Sequence, residues 1–209
     1  MSFDLSVIPN KNILLAVTGG IAAYKSAILV RRLKDAGFQV RVVMTEGAQA
    51  FITPLTFQAL SGNPVHTELL DPEAEAGMGH IELARWADLL LVAPASCNTI
   101  AKFAAGLADD LLSTLYLATK APVWVAPAMN QQMWAAKATQ RNLATLVEDG
   151  VHVIMPDAGA QACGDVGLGR MPEPEDLAHQ VTEYFHKAQR AMAEKFGMLA
   201  GKKVTITAG

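Results

Sequence analysis

Two apolar, β-favouring runs separated by a glycine turn and a helix constrain this chain more than any other feature. Lys11 to Val17 is a short apolar run that stops at Thr18-Gly19-Gly20, and from Ile21 to Leu33 the apolar residues recur at helical spacing. Asp35-Ala36-Gly37 closes that helix and Gln39 to Met44 reads as the next strand. Strand, tight turn, helix and strand make a βαβ unit, whose crossover requires a parallel pair. The pattern then repeats. Strands are expected at Ala87–Ala93, ended by Pro94, at Ala121–Ala126, ended by Pro127, and at Val151–Met155, ended by Pro156. Each is apolar on both faces, as a strand covered by helices on two sides must be. Helices are expected over Ile52–Leu60, Asn98–Ala105, Asp109–Ala118 and Lys137–Asp149. The fold class is therefore α/β: a doubly wound, flavodoxin- or Rossmann-like parallel sheet with helices on both faces.

Such sheets bind ligands beyond the carboxyl ends of their strands. Gly19-Gly20, Thr45, Ser96 to Thr99, Asn130 and the loop around Cys163 all fall at or just after expected strand ends. The composition narrows the ligand class. Net charge is -3, with no basic run, which gives nucleic acid and anionic membranes no electrostatic support. No apolar run reaches the roughly 20 residues of a membrane helix, and Met1 to Asn10 lacks the regions of a signal peptide. Cys97 and Cys163 are the two cysteines and lie far apart, so neither a zinc site nor a disulfide framework is expected. A reducing cytoplasm is the natural compartment.

Several short segments could carry chemistry. Thr18-Gly19-Gly20-Ile21 opens a helix, whose free amides and dipole suit an anion such as a mononucleotide phosphate. It lacks G-x-G-x-x-G spacing and the P-loop Lys, so a plain tight turn is an equal reading. Ser96-Cys97-Asn98-Thr99 offers small polar side chains at another helix start, where an ordinary N-cap explains Ser, Asn and Thr equally well. Cys97 reads as a small packed residue. His80 begins a short helix before the Ala87 strand, and Asn130 follows Pro127-Ala128-Met129 at a strand end; neither needs a function when viewed alone. Ala162-Cys163-Gly164-Asp165-Val166-Gly167-Leu168-Gly169-Arg170-Met171 is glycine-rich and suits a flap closing over a ligand, with a thiol at its root and a guanidinium at its far end.

Together, His80, Pro127-Ala128-Met129-Asn130 and Ala162-Cys163-Gly164-Asp165 resemble the homo-oligomeric flavin-containing cysteine decarboxylase family, in its order and spacing, over about Lys11 to Met171. The resemblance implies FMN as cofactor, with Gly19, Gly20, Ile21 and Thr45 along it. It places Ser96, Asn98 and Thr99 at the phosphate and ribityl chain, and the Ala128 backbone at the ring. His80, Asn130 and Cys163 are implied as catalytic residues, Asn130 fixing the substrate carboxylate and Cys163 acting as acid. Met133, Ala162 and Arg85 are implied as substrate-binding, Arg85 in a neighbouring subunit's site. The family usually has Ala where this chain has Cys97. The implied reaction is decarboxylation of 4'-phospho-N-pantothenoylcysteine in coenzyme A biosynthesis, by a trimer that assembles further into dodecamers. Alternatives of the same or related folds are a peptide-cysteine decarboxylase, a non-catalytic FMN-binding regulator and a flavin prenyltransferase. The last lacks the Cys loop and the Pro-Ala-Met-Asn segment.

Glu173 to Lys195 reads as one long charged amphipathic helix. After Gly197, Leu199 to Gly209 reads as a new strand entering a glycine turn. This resembles the start of a CTP-using phosphopantothenate–cysteine ligase domain. The expected organisation is a decarboxylase domain over 11–190 and a linker plus first ligase strand over 191–209, with no ligase activity from the chain.

Overall fold

The computed structural model describes residues 10–69, 79–162 and 164–199. Its centre is a parallel sheet of β1 (Asn12–Val17), β2 (Gln39–Met44), β3 (Val65–His66), β4 (Leu89–Ala95), β5 (Val123–Pro127) and β6 (His152–Val153). The strand order is β3-β2-β1-β4-β5-β6, and every pairing is parallel. The chain winds outward from β1 in one direction, returns, and winds outward from β4 in the other. The crevice between β1 and β4 is the topological switch point of a doubly wound sheet.

Alternation along the central strands builds two cores. Ile13, Leu15 and Val17 of β1, with Leu89, Leu91 and Ala93 of β4, face one cluster with Leu29, Val30, Phe57, Leu177 and Val181. Leu14 and Ala16, with Leu90 and Val92, face the other with Ile100, Phe103, Leu112, Leu115 and Leu146. Each fully buried Leu or Phe contributes about 1.5–3 kcal/mol.

On the first face lie α1 (Ala23–Asp35) and α3 (Pro54–Ser61), after the single turn α2 (Glu46–Gln49). α1 buries Ala23, Ser26, Leu29, Val30 and Leu33, the stripe its spacing requires. Gly37, at φ +90°, ends it, and Phe38 donates its N–H to the Leu33 carbonyl. The opposite face carries α4 (His80–Trp86), α5 (Cys97–Ala104), α6 (Leu111–Ala118) and, after α7 (Gln131–Ala135), α8 (Lys137–Glu148). Asp110 caps α6 in a reciprocal box with Ser113. A long α9 (Pro174–Leu199) packs back on α1.

Several boundaries differ from the sequence expectation for local reasons. Residues 87–88 precede β4 because the Asp88 carboxylate accepts from the Asn12 N–H and the Lys11 ammonium. β4 runs through Pro94 to Ala95, with its register against β5 shifting between Val92 and Ala95. The helix expected from Ile52 begins at Pro54, because Thr53, preceding a proline, is extended at ψ 149°. α9 continues to Leu199, and the strand expected beyond it lies outside the described residues.

The largest difference is the glycine-rich segment. It supplies β8 (Val166–Arg170), which pairs with the preceding β7 (Asp157–Ala160) in a second, antiparallel two-stranded sheet. This hairpin is docked on the sheet's carboxyl edge: the Met129 N–H donates to the Gly169 carbonyl at 2.9 Å. A Cβ on Gly169, at φ +134°, would collide with the Met129 carbonyl oxygen, and one on Gly167 would collide with the Gln131 side chain. These two glycines serve close approach of the hairpin to the loop after β5.

Candidate active site

One cavity of about 470 Å³ opens at the carboxyl ends of β1, β4 and β5, between the switch point and the hairpin. Its floor depends on Thr18. This buried hydroxyl donates to the Pro94 carbonyl at 2.7 Å and accepts from the Ser96 N–H at 2.8 Å, joining the ends of β1 and β4. Ser26 on α1 adds a buried bond to the Ala93 carbonyl at 2.7 Å. The crevice is therefore held at fixed width by hydrogen bonds that a low-dielectric interior makes costly to break.

At one end, Gly19 and Gly20 pass across the mouth. A Cβ on Gly19 would stand 2.9 Å from the Gly47 carbonyl carbon, so the turn lies directly on α2. At Gly20 a Cβ would meet only open space. The amides of Gly20, Ile21 and Ala22 donate to no carbonyl among the described residues, and they lead into α1. Across from them Ser96 caps α5, accepting the Thr99 N–H at 3.2 Å. The rest of the wall is apolar, with Ile21 63%, Tyr24 56% and Met133 47% exposed around Ala128 and Met129. Unpaired amides and a hydroxyl at one end, with flat apolar surface beyond, fit a phosphorylated aromatic cofactor in both size and polarity.

The cavity thus gathers Gly19, Gly20, Ile21 and Ser96 at the end formed by the α1 turn, and Ala128, Asn130, Met133 and Ala162 towards the hairpin. Other expected residues stand apart. Thr45 precedes α2 without a side-chain capping bond and donates its N–H to the Val17 carbonyl. The Thr99 side chain is buried behind Ser96 at 3.1 Å between hydroxyls, while Asn98 is exposed on α5; neither lines the cavity. His80 and Arg85 lie on α4, away from the cavity wall. α4 leads into β4, with His80 as its first residue. Its Nδ1 is buried without a hydrogen-bond partner among the described residues. Cys163 lies outside the described residues.

Asn130 is held firmly. Its Oδ1 accepts the Gln132 N–H at 2.8 Å, and its Nδ2 donates to Asp165 Oδ2 at 2.9 Å and towards Gln161 Oε1 at 3.4 Å. Gln161 also accepts the Gln131 N–H at 3.0 Å and donates to the Met129 and Leu168 carbonyls at 3.3 Å each. Its amide therefore clamps the hairpin to the loop after β5.

Sequence reasoning missed Gln161, which carries no signal beyond adjacency to the Ala-Cys-Gly-Asp segment. It also missed Lys25, which reads as an ordinary helix-surface cation. Lys25 is only 5% exposed and donates to the Met171 carbonyl at 2.9 Å and Glu173 Oε1 at 2.8 Å, fixing the exit of β8 against α1. Cys97 does line the cavity, its Sγ 3.4 Å from Thr139 Oγ1.

The protein-family model described as Flavoprotein matches residues 4–186. The coenzyme A biosynthesis bifunctional protein CoaBC of Vibrio parahaemolyticus is 55% identical over 205 residues, which are 98% of this chain and 49% of that protein. The chain spans about half the length of the curated relatives it matches. Among solved structures, a cysteine-to-serine mutant of PPC decarboxylase complexed with pantothenoylaminoethenethiol superposes with a TM-score of 0.74 at 35% identity, covering 84% of this chain and 98% of that one. The FMN-dependent cysteine decarboxylase SpaF gives 0.74 at 32% identity, covering 88% and 99%.

Proposed function

The chain belongs to the flavoprotein family, and on that premise we propose that residues 11–190 form an FMN-dependent decarboxylase converting 4'-phospho-N-pantothenoylcysteine to 4'-phosphopantetheine in coenzyme A biosynthesis. The observation that carries this reading is a cavity joining a phosphate-suited turn at Gly19-Gly20 to Asn130 across an apolar wall. The neighbours named for PPC decarboxylase and FMN-dependent cysteine decarboxylase support both cofactor and reaction class.

Loss of CO₂ from a cysteinyl carboxylate needs an electron sink. FMN, when bound, supplies it by accepting two electrons from the Cβ–S unit and later returning them. Gly19, Gly20 and Ile21 would lie along the FMN, Ser96 would help to hold its phosphate end, and the Ala128 backbone would approach the ring. Asn130 binds and orients the carboxylate through a neutral amide, which adds no charge that would overstabilise the bound carboxylate. Oxidation of the thiol to a thioaldehyde releases a proton, and His80 is the base that takes it. After CO₂ leaves, the enethiolate is protonated, and Cys163 is the acid. Met133 and the hairpin exclude water from these species.

His80 and Arg85 stand off the cavity of their own chain, and a second copy would bring them to it. The site is accordingly one shared between subunits of a homo-oligomer, a trimer in this reading, in the cytoplasm. Among the described residues no helix is long and apolar enough to cross a membrane. The segment after α9 is the start of a ligase domain in this reading.

An absorbance spectrum of the purified protein, followed by addition of phosphopantothenoylcysteine, tests the proposal. A flavin spectrum with CO₂ release supports it. A yellow protein that releases CO₂ only from a cysteine-ended peptide would favour the peptide-decarboxylase class, and a protein that binds no FMN would overturn the reading.

A further inference from the structure

The Asn130 amide can point only one way. A carboxylate accepts and a backbone N–H donates, so the Asp165 contact must take the NH₂ group and the Gln132 contact must take the oxygen. The NH₂ group is also the part of Asn130 that a substrate carboxylate would use. In the structure, a carboxylate of the chain itself already sits on it, at 2.9 Å.

We propose that Asp165 is an internal stand-in for the substrate carboxylate, a positioning residue that holds the Asn130 NH₂ group in orientation and yields it to the incoming carboxylate. The inference deepens the reading above and rests on Asn130 as the carboxylate site. Three features favour exchange of one carboxylate for another. Two carboxylates on one amide nitrogen would repel at hydrogen-bond range, so they alternate. Asp165 is exposed, so water can replace its bond to Asn130. Its backbone is pinned, because the Gln161 N–H donates to the Asp165 carbonyl at 2.7 Å and the Gly164 N–H to the Gln161 carbonyl at 2.9 Å. Exchange is thus a side-chain rotation with the hairpin still docked. Meanwhile the Gln132 bond and the Gln161 contact keep the amide from flipping.

A stand-in competes with carboxylate ligands and is indifferent to ligands lacking one. The test uses full-length, FMN-loaded protein and two ligands that cannot be turned over: phosphopantothenoylserine and its decarboxylated counterpart. Dissociation constants are measured by calorimetry for wild type, Asp165→Ala and Asp165→Asn. Asp165→Ala is expected to improve the ratio favouring the serine ligand by about three- to tenfold, the scale of one exposed charge-assisted bond. Asp165→Asn, which keeps an acceptor and loses the charge, is expected to fall between. An equal shift for both ligands would mean a merely structural role, and a reduced preference for the serine ligand would mean that Asp165 only orients Asn130; either overturns the proposal. Failure of the underlying reading looks different. There wild type would show no preference for the serine ligand and Asn130→Ala would change nothing, which overturns both.

Discussion

Thr18 and Ser96 meet across the switch point, the hydroxyl of one accepting the backbone N–H of the other at 2.8 Å. The same hydroxyl donates to the Pro94 carbonyl, so one buried side chain ties the ends of the two central strands. Thr18→Val keeps the shape and removes both bonds, leaving a donor and an acceptor unsatisfied. A loss of about 2–3 kcal/mol in urea unfolding is expected, with weaker FMN retention on dialysis. Unchanged stability would show that the crevice does not depend on this bridge.

Gly169→Ala is expected to undock the hairpin without unfolding the sheet. The new Cβ meets the Met129 carbonyl oxygen, and φ +134° is strained for any L side chain. Hydrogen exchange over 157–170 should rise by about tenfold or more, while α1 and β4 keep their protection. Decarboxylation should fall with it.

Lys25→Met removes an ammonium that is 5% exposed and leaves the Met171 carbonyl unpaired. Glu173 is half-exposed and can turn to water, which limits the cost to about 1–3 kcal/mol. Thermal unfolding checks the figure, and it should be largest where FMN stabilises the protein.

The Asp110 carboxyl gives a pH signature independent of catalysis. Burial pushes its pKa up, but hydrogen bonds from Lys102 and from the Ser113 amide and hydroxyl outweigh this and leave it below the ordinary carboxylate value. A depressed folded-state pKa means its stabilisation is present above the unfolded value of about 4 and is lost as pH falls through the folded one. Asp110→Ala should cost about 1 kcal/mol at neutral pH, from lost capping, and less in acid. Urea midpoints measured at pH 7 and pH 3 give the comparison.

A shared site predicts complementation. His80→Asn and Asn130→Ala homo-oligomers should each be inactive, and co-refolded mixtures should regain CO₂ release, because some sites draw both intact residues from different copies. Mixtures as inactive as the parents would place both residues in one chain's site.

The doubly wound sheet was legible because its signal is local and repeated: apolar strands stop at glycine or proline, and helical stripes such as Ala23, Ser26, Leu29, Val30 and Leu33 follow. Gly19, Gly20, Ser96 and Asn130 were legible as ligand-edge residues for the same reason, since strand ends mark that edge. The hairpin was not. Gly167 and Gly169 read as freedom in sequence, yet each is required by a neighbour, Gln131 and Met129, more than thirty residues away. Lys25 and Gln161 were hidden in the same way. A buried lysine and a four-bonded glutamine are defined by the carbonyls around them, and the sequence does not show which carbonyls those will be.

The Lys25 anchor also has a mechanical consequence. It grips Met171 and Glu173 at the joint where β8 becomes α9, so the cavity wall and the long C-terminal helix share one fastening. Beyond that joint, α9 is also seated on α1 through the buried side chains of Leu177, Val181 and Phe185. A load on that helix must therefore break this buried packing as well as the Lys25 bonds before the wall of the site loosens.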